Sequence, residues 1–382
     1  LITFPRVVAL STVLHGYIAW RLTPALGNLP AVACAFAALM LVSAVLVPLG
    51  VRAPHIRAQP LSDRLAWAGL PALGLFSSLF VMTLLRDLGL FLAWLGASLF
   101  APAVSMGPLV RWTGWTVLVA GLAVTVWGFI NARRTARIVK VDIPIRGLPA
   151  NLHGFSIAQI SDIHVGPTIK QGYLDAIVRA VNGLDADLVA VTGDLVDGSV
   201  PRLANHVAPL AGLSSRHGTY FVTGNHEYYS GAHEEWIAEL RRLGLRVLMN
   251  EHVVLRRGEA EVVLAGVADY TAHHFAPAHR SDPHAALAGA PAGAAVRVLL
   301  AHQPRSAAAA AEAGFDLQIS GHTHGGQFWP WIYFVRLQQP FTAGLHRVQD
   351  LWVYTSRGTG YWGPPKRFGA PSEITALRLV ST

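Results

Sequence analysis

Residues 155–166, FSIAQISDIHVG, carry an apolar run straight into Asp162-Ile163-His164. Four later runs end in the same manner. DLVAVTGD (187–194) closes on Gly193-Asp194, and TYFVTGNHE (219–227) on Gly224-Asn225-His226-Glu227. VRVLLAH (296–302) closes on Ala301-His302, and DLQISGHTH (316–324) on Gly321-His322-Thr323-His324. A lone His after an apolar run is ordinary, and GD or GN at a strand end is common turn chemistry. Five such ends in series are not, because together they offer carboxylates, imidazoles and an amide. That is a mixed N/O ligand set for divalent cations. A sixth run, VVLAGVA (262–268), has the same strand character, and helical patterns at 173–182 and 234–243 lie between runs. Strands alternating with helices predict an α/β domain with a parallel or mixed sheet. In such sheets functional groups gather past the carboxyl ends of strands, which is where every motif falls.

Asp162 and His164 are two residues apart, as are His322 and His324, so in extended chain each pair would face one side. Two cations held ~3.5–4 Å apart also need a bridging ligand. A carboxylate with two oxygens suits that role, and Asp194 is the candidate.

In these motifs the chain resembles the calcineurin-like metallophosphoesterases, whose pattern is DxH, GDxxD, GNH(D/E), a lone His and GHxH. Gly193 to Asp197 supplies GDLVD, and no ligand position is missing. The resemblance runs from about Gly154 to the end. The phrases SDIHVG, NHEYYSG, GHTHGGQ and SRGTGYWGPPKRFGAPSEIT are similar to the membrane-linked bacterial branch of that family. It implies an α/β fold of two packed β-sheets flanked by helices, and two divalent metal ions. Asp162, His164, Asp194 and His324 would hold the first, and Asp194, Asn225, His302 and His322 the second. Mn, Fe and Zn all suit such ligands. His226 would protonate the leaving oxygen or steady the transition state.

Other residues carry weaker signals. Asp197 reads as a carboxylate that orients a ligand His or caps a helix, Tyr228 and Tyr229 as pocket lining or ordinary packing, and Arg357 as a contact to a phosphate or leaving group or as a structural arginine. His273, His274, His279 and His284 read as a solvated loop, for lack of regular spacing. The run Phe328-Trp329-Pro330-Trp331-Ile332-Tyr333-Phe334 is either core or a lip near lipid, where Trp and Tyr concentrate.

The 382 residues are 52% hydrophobic and 14% charged, too apolar for an ordinary soluble chain. The excess sits in residues 1–131, expected to be a transmembrane region of about four helices at 4–26, 30–50, 65–85 and 113–130. Residues 88–106 could be a fifth span or an interfacial piece. A juxtamembrane linker at 132–153 and a metallophosphoesterase domain at 154–382 would follow. Arg52, Arg57 and Arg64 flank the second span, and Arg133, Arg134, Arg137 and Lys140 follow the last. Four spans place both clusters on one side, so the positive-inside rule predicts a cytoplasmic catalytic domain in a bacterial inner membrane. Cys34 is the only cysteine, which excludes an intrachain disulfide or a thiolate metal site.

The reading that follows is a membrane-bound phosphohydrolase for a phosphodiester or pyrophosphate. The resemblance extends to lipid-linked substrates such as a nucleotide-diacylglucosamine. A transporter or sensor with a regulatory phosphoesterase domain is the alternative, disfavoured by the few ionisable residues in the spans. A nuclease is disfavoured by the lack of a basic, aromatic-laced groove. Membrane lipids are the expected partners; no protein partner is implied.

Overall fold

A computed structural model describes residues 3–56, 58–100 and 105–382. Arg57 of the basic loop and residues 101–104 of the 88–106 segment lie outside the described residues. The chain divides into two compact units, Leu1–Ile130 with Gly363–Lys366, and Asn131–Trp362 with Arg367–Thr382.

The first unit is built of α1 (Phe4–Leu22), α2 (Pro30–Arg52), α3 (Leu61–Phe100) and α4 (Met106–Arg133). Three helical stretches, Pro30–His55, Leu61–Phe100 and Met106–Arg133, are long and apolar enough to cross a membrane. The nineteen-residue α1, which carries Arg6, His15 and Arg21, is not among them. Residues 88–100 form no separate segment; they continue α3. At 1.5 Å per residue its 40 residues span about 60 Å, twice a hydrocarbon core. Ile18, Leu22, Met40, Leu79 and Val117 form a small core drawn from all four helices. α2 and α3 meet closely at Gly50 and Gly69, where a Cβ on Gly69 would strike the Leu46 carbonyl. Tyr17, Arg21, Arg86 and Asp87 of this unit pair with one another or with neighbouring polar groups. Arg21 grips Asp87 through two bonds of 2.7 and 2.9 Å, and Tyr17 donates to the same carboxylate at 2.6 Å. Buried Arg86 donates to Thr113 Oγ1 at 3.0 Å and to the Val110 carbonyl at 2.9 Å.

The second unit contains, in chain order, β1 (Arg137–Ile145), β2 (Ser156–Ile160), α5 (Gln171–Asn182), β3 (Leu188–Thr192), α6 (Val200–Val207), β4 (Thr219–Val222), α7 (Asn225–Tyr229), α8 (His233–Arg242) and β5 (Arg246–Val247). It continues with β6 (Glu251–Arg257), β7 (Ala260–Gly266), α9 (Pro283–Leu287), β8 (Val296–Leu300), α10 (Ala307–Ala313), β9 (Leu317–Ser320), α11 (Ile332–Val335), β10 (Gly344–Val348), β11 (Leu351–Thr355) and β12 (Glu373–Ser381). All six apolar runs read from the sequence are strands. The stretch expected as a linker contains β1, whose nine residues pair in parallel with β12.

The strands form two mixed six-stranded sheets, ordered β1-β12-β2-β3-β4-β5 and β10-β11-β9-β8-β7-β6. Their inner faces share one core, with Ile157, Leu188 and Val222 from the first sheet and Leu264, Leu300 and Ile319 from the second. The outer face of the first sheet is covered by α5, α6 and α8 through Leu174, Ile177, Leu203, Trp236 and Leu240. α9 and α10 cover the second through Ala286, Ala307 and Ala310. Strands buried on both faces read as continuous apolar runs, which is why these were legible. The parallel strands β2, β3 and β4 of one sheet and β8 and β9 of the other bring their carboxyl ends to the same end of the sandwich.

Candidate metal centre

The motif residues occupy the loops beyond those strand ends, and the backbone there is bent in an unusual way. Asp162, His164, Asp194, His322 and His324 have φ of 55°, 58°, 51°, 70° and 51°. A side chain in this left-handed region costs roughly 1–3 kcal/mol and persists only where its surroundings enforce it. The DxH and HxH pairs therefore converge through left-handed kinks, not through the strand alternation expected from spacing. Cross-loop bonds enforce the kinks. Asp162 N–H donates to the Gly193 carbonyl and His164 N–H to the Asp194 carbonyl, each at 3.1 Å. The His322 N–H donates to Asp162 Oδ1 at 2.9 Å. Two glycines make room for the carboxylates, since a Cβ on Gly224 would collide with Asp194 and one on Gly321 with Asp162.

Seven predicted ligands line one gap in two groups. In the first, His164 Nε2 lies 3.0 Å from His324 Nε2, which is 3.5 Å from Asp162 Oδ1. In the second, His302 Nε2 lies 3.1 Å from Asp194 Oδ2, 3.2 Å from Asn225 Oδ1 and 3.2 Å from His322 Nδ1. Asp194 joins the groups, its Oδ2 also standing 3.9 Å from His164 Nε2.

The donor chemistry fits cations. His302 Nδ1 sits 2.7 Å from the Thr192 carbonyl, and only an N–H can occupy that contact. In the neutral ring Nε2 is then a lone pair, and it faces two oxygens and one nitrogen. His164 is set in the same way, with Nδ1 3.1 Å from Asp197 Oδ1 and Nε2 turned to His324. A proton on His302 Nε2 satisfies only the contact to Asp194, whereas a divalent ion in each group engages all the inward-facing donors at once. Burial raises the Asp194 carboxyl, but the charges of His302, His226 and His164 outweigh it and hold the group well below the usual range. Burial lowers His302, yet Asp194 drives it well above its ordinary value. The same negative potential would attract a metal ion.

The other predicted residues fall at different distances from the gap. Asp197 bridges His164 Nδ1 and His226 Nδ1, the latter at 2.6 Å. Burial lowers the His226 pKa, and Asp194 and Asp197 more than reverse this, to about 9. Tyr228 is buried, bonded to Thr223 and His279, while Tyr229 is exposed and lies 5.2 Å from the His226 ring. Arg357 donates to the buried carboxylate of Glu373 at 2.9 Å. Phe328 is buried; Trp329, Trp331, Tyr333 and Phe334 are exposed.

Three residues beyond the predicted set also shape the site. Glu227, fully buried, accepts from the backbone N–H groups of Asp194, Leu195 and Gly224 and ties the GD loop to the GNHE loop. Its position after GNH was the signal, since an acid at the third helical position caps its own helix. Arg367, also fully buried, donates to the carbonyls of His324, Arg357 and Gly360, with Nη2 3.1 Å from His324 Nδ1. No spacing marked it. Trp362, exposed, stands 5.7 Å edge-on to His226.

Residues 155–326 match the family model for calcineurin-like phosphoesterase. A zebrafish "transmembrane protein with metallophosphoesterase domain" is 39% identical over 269 residues, covering 69% of this chain and 61% of that one. Its bovine counterpart is 41% identical over 266 residues, 67% of this chain and 60% of that one. The chain thus spans about three fifths of the length of these relatives. A metallophosphoesterase of Aquifex aeolicus is 31% identical over 245 residues, which cover 64% of this chain and 91% of the bacterial protein. With that coverage added to the ligand geometry, the chain belongs to the calcineurin-like metallophosphoesterase family.

Proposed function

We propose that the protein is a membrane-bound, dinuclear metal-dependent phosphohydrolase that cleaves a phosphodiester or pyrophosphate bond. The observation that carries this reading is Asp194, whose one carboxylate touches both groups of inward-facing ligands. Two divalent ions held there would lower the pKa of water towards ~7 and neutralise phosphoryl charge. Asp162, His164 and His324 would hold one ion, Asn225, His302 and His322 the other, and Asp194 both. His226, oriented by Asp197, would carry a proton and give it to the leaving oxygen. Metal analysis of detergent-purified protein, with hydrolysis of a lipid pyrophosphate, an aryl diester and single-stranded DNA, tests the reading. Two metals per centre and turnover of the first two substrates support it; DNA cleavage alone would favour a nuclease.

A lipid-bearing substrate is part of the proposal. Trp329, Trp331, Tyr333 and Phe334 follow the ligand His324 closely and are exposed. Leaving an acyl chain in lipid avoids about 0.8 kcal/mol per CH₂. Changing Trp329 and Trp331 together to Ser should slow hydrolysis of a lipid phosphate at least ~10-fold more than that of a soluble aryl diester. Equal losses on both would mean that the run supports the fold of the site and not a lipid contact, against this part of the proposal.

The catalytic unit is proposed to face the cytoplasm. If α3 and α4 each cross once, the basic loop at 52–64 and the basic segment at 133–140 share a face whatever α1 does. A reporter fused after Thr382 should behave as cytoplasmic in accessibility and enzyme-fusion assays. Activity of a periplasmic reporter there would reverse the orientation.

A further inference from the structure

We infer that His233, Glu234 and His279 form a third cation site, separate from the phosphoesterase centre, that takes a single zinc-like divalent ion. One donor atom from each lies within 4.8 Å of the others. His279 Nε2 is 3.1 Å from Glu234 Oε1, and His233 Nε2 is 4.0 Å from the same oxygen. Tetrahedral zinc, with bonds of about 2.0–2.1 Å, separates its donors by about 3.3 Å. The Glu234 side chain is 68% exposed, so its carboxylate is free to move towards that spacing, with water as the fourth ligand.

The surroundings prepare the two imidazoles. Tyr228 Oη lies 3.3 Å from Thr223 Oγ1 and 3.0 Å from His279 Nδ1. A phenol that donates to Thr223 accepts Nδ1–H from His279, which leaves the His279 Nε2 lone pair facing Glu234. Fixing a ligand His through its other nitrogen is the usual support for a metal-bound imidazole. The Tyr228 ring also stacks on His233 at 4.8 Å and holds its plane. His233 Nδ1 is buried without a hydrogen-bond partner among the described residues, and Nε2 stands beyond hydrogen-bonding distance of Glu234. An ion between Nε2 and Glu234 would give Nε2 the partner it lacks, while the Nδ1 orphan is a separate unsatisfied group. The site begins α8, where the helix dipole disfavours a cation, but Glu234 and Glu235 in the first turn offset it.

An ion here would join three segments: α7 through Tyr228, the start of α8, and the 270–287 loop through His279. That loop carries Phe275, which packs 5.6 Å from Tyr229 beside His226. The site would thus anchor the aromatic wall of the phosphoesterase gap without touching its ligands.

The test is metal stoichiometry of the full chain in detergent, stripped with chelator, reloaded with Zn(II), freed of excess ion and measured by inductively coupled plasma mass spectrometry. Wild type should hold three zinc ions per chain, and His279→Gln and Glu234→Gln two each. Asp194→Asn should keep one ion, which the double variant with His279→Gln loses. Two ions in wild type and in both single variants would overturn the proposal and leave His279–Glu234 as a plain ion pair. Glu234 is an exposed surface side chain, so its variant reports on the site even if His279→Gln fails to fold.

Discussion

Asp194→Asn should lower turnover at least about 10³-fold and empty both positions of the phosphoesterase centre. The carboxylate is fully buried, lies 3.1 Å from His302 and 3.9 Å from His164, and accepts the His226 N–H at 2.8 Å. The amide keeps the size but loses the charge that would lie between the two proposed cations. Metal-ion stabilisation of a phosphoryl transition state is worth several kcal/mol, and about 4 kcal/mol corresponds to roughly 10³ in rate. The variant should still fold, because Asn tolerates the left-handed conformation that this position needs. Circular dichroism and metal analysis of the purified variant, beside its turnover, check this. An Asp194→Asn protein that retains activity with no bound metal would sink the dinuclear reading.

His226→Ala should act differently, with turnover down about 10²–10⁴-fold and metal content close to wild type. Removing a positioned proton donor costs that much in general acid catalysis. The His226 ring lies outside the two inward-facing groups and contacts them only through Asp197 and its edge against His164. Parallel measurement of metal content and turnover separates the two variants. If His226→Ala loses metal in proportion to activity, the imidazole is a structural support and not the acid.

The contrast between what could be read from the residues and what could not follows strand burial. β2, β3, β4, β7, β8 and β9 are apolar on both faces and were legible. β1, RIVKVDIPI, is largely exposed along its first half and mixes polar with apolar residues, and β12, EITALRLVS, is interrupted by Glu373, Thr375 and Arg378 although mostly buried, so neither reads as a continuous apolar run. β1 also follows directly on the basic segment after α4, which made it resemble a tether. The ligand motifs were readable because their residue types are chemically distinctive. The manner of their convergence was not, since left-handed φ at Asp162 or His322 arises from bonds to other loops and leaves no local trace. Arg367 was hidden for the same reason: its partners are carbonyls at 324, 357 and 360, brought together only by the fold.

The strand order of the first sheet also governs how the molecule is made. β12 lies between β1 and β2, yet residues 146–372 separate β1 from it in the chain. At about 5–20 residues per second, a ribosome needs roughly 10–45 s to pass from one to the other. The helices are in place long before the strand that closes the sheet is synthesised, and β1 waits with an open edge on the chain just beyond α4. Such an edge is a template for mispairing. The nascent unit therefore carries that unpaired edge through the interval, and a nonsense codon before 373 would deprive both β1 and β2 of their shared neighbour at once.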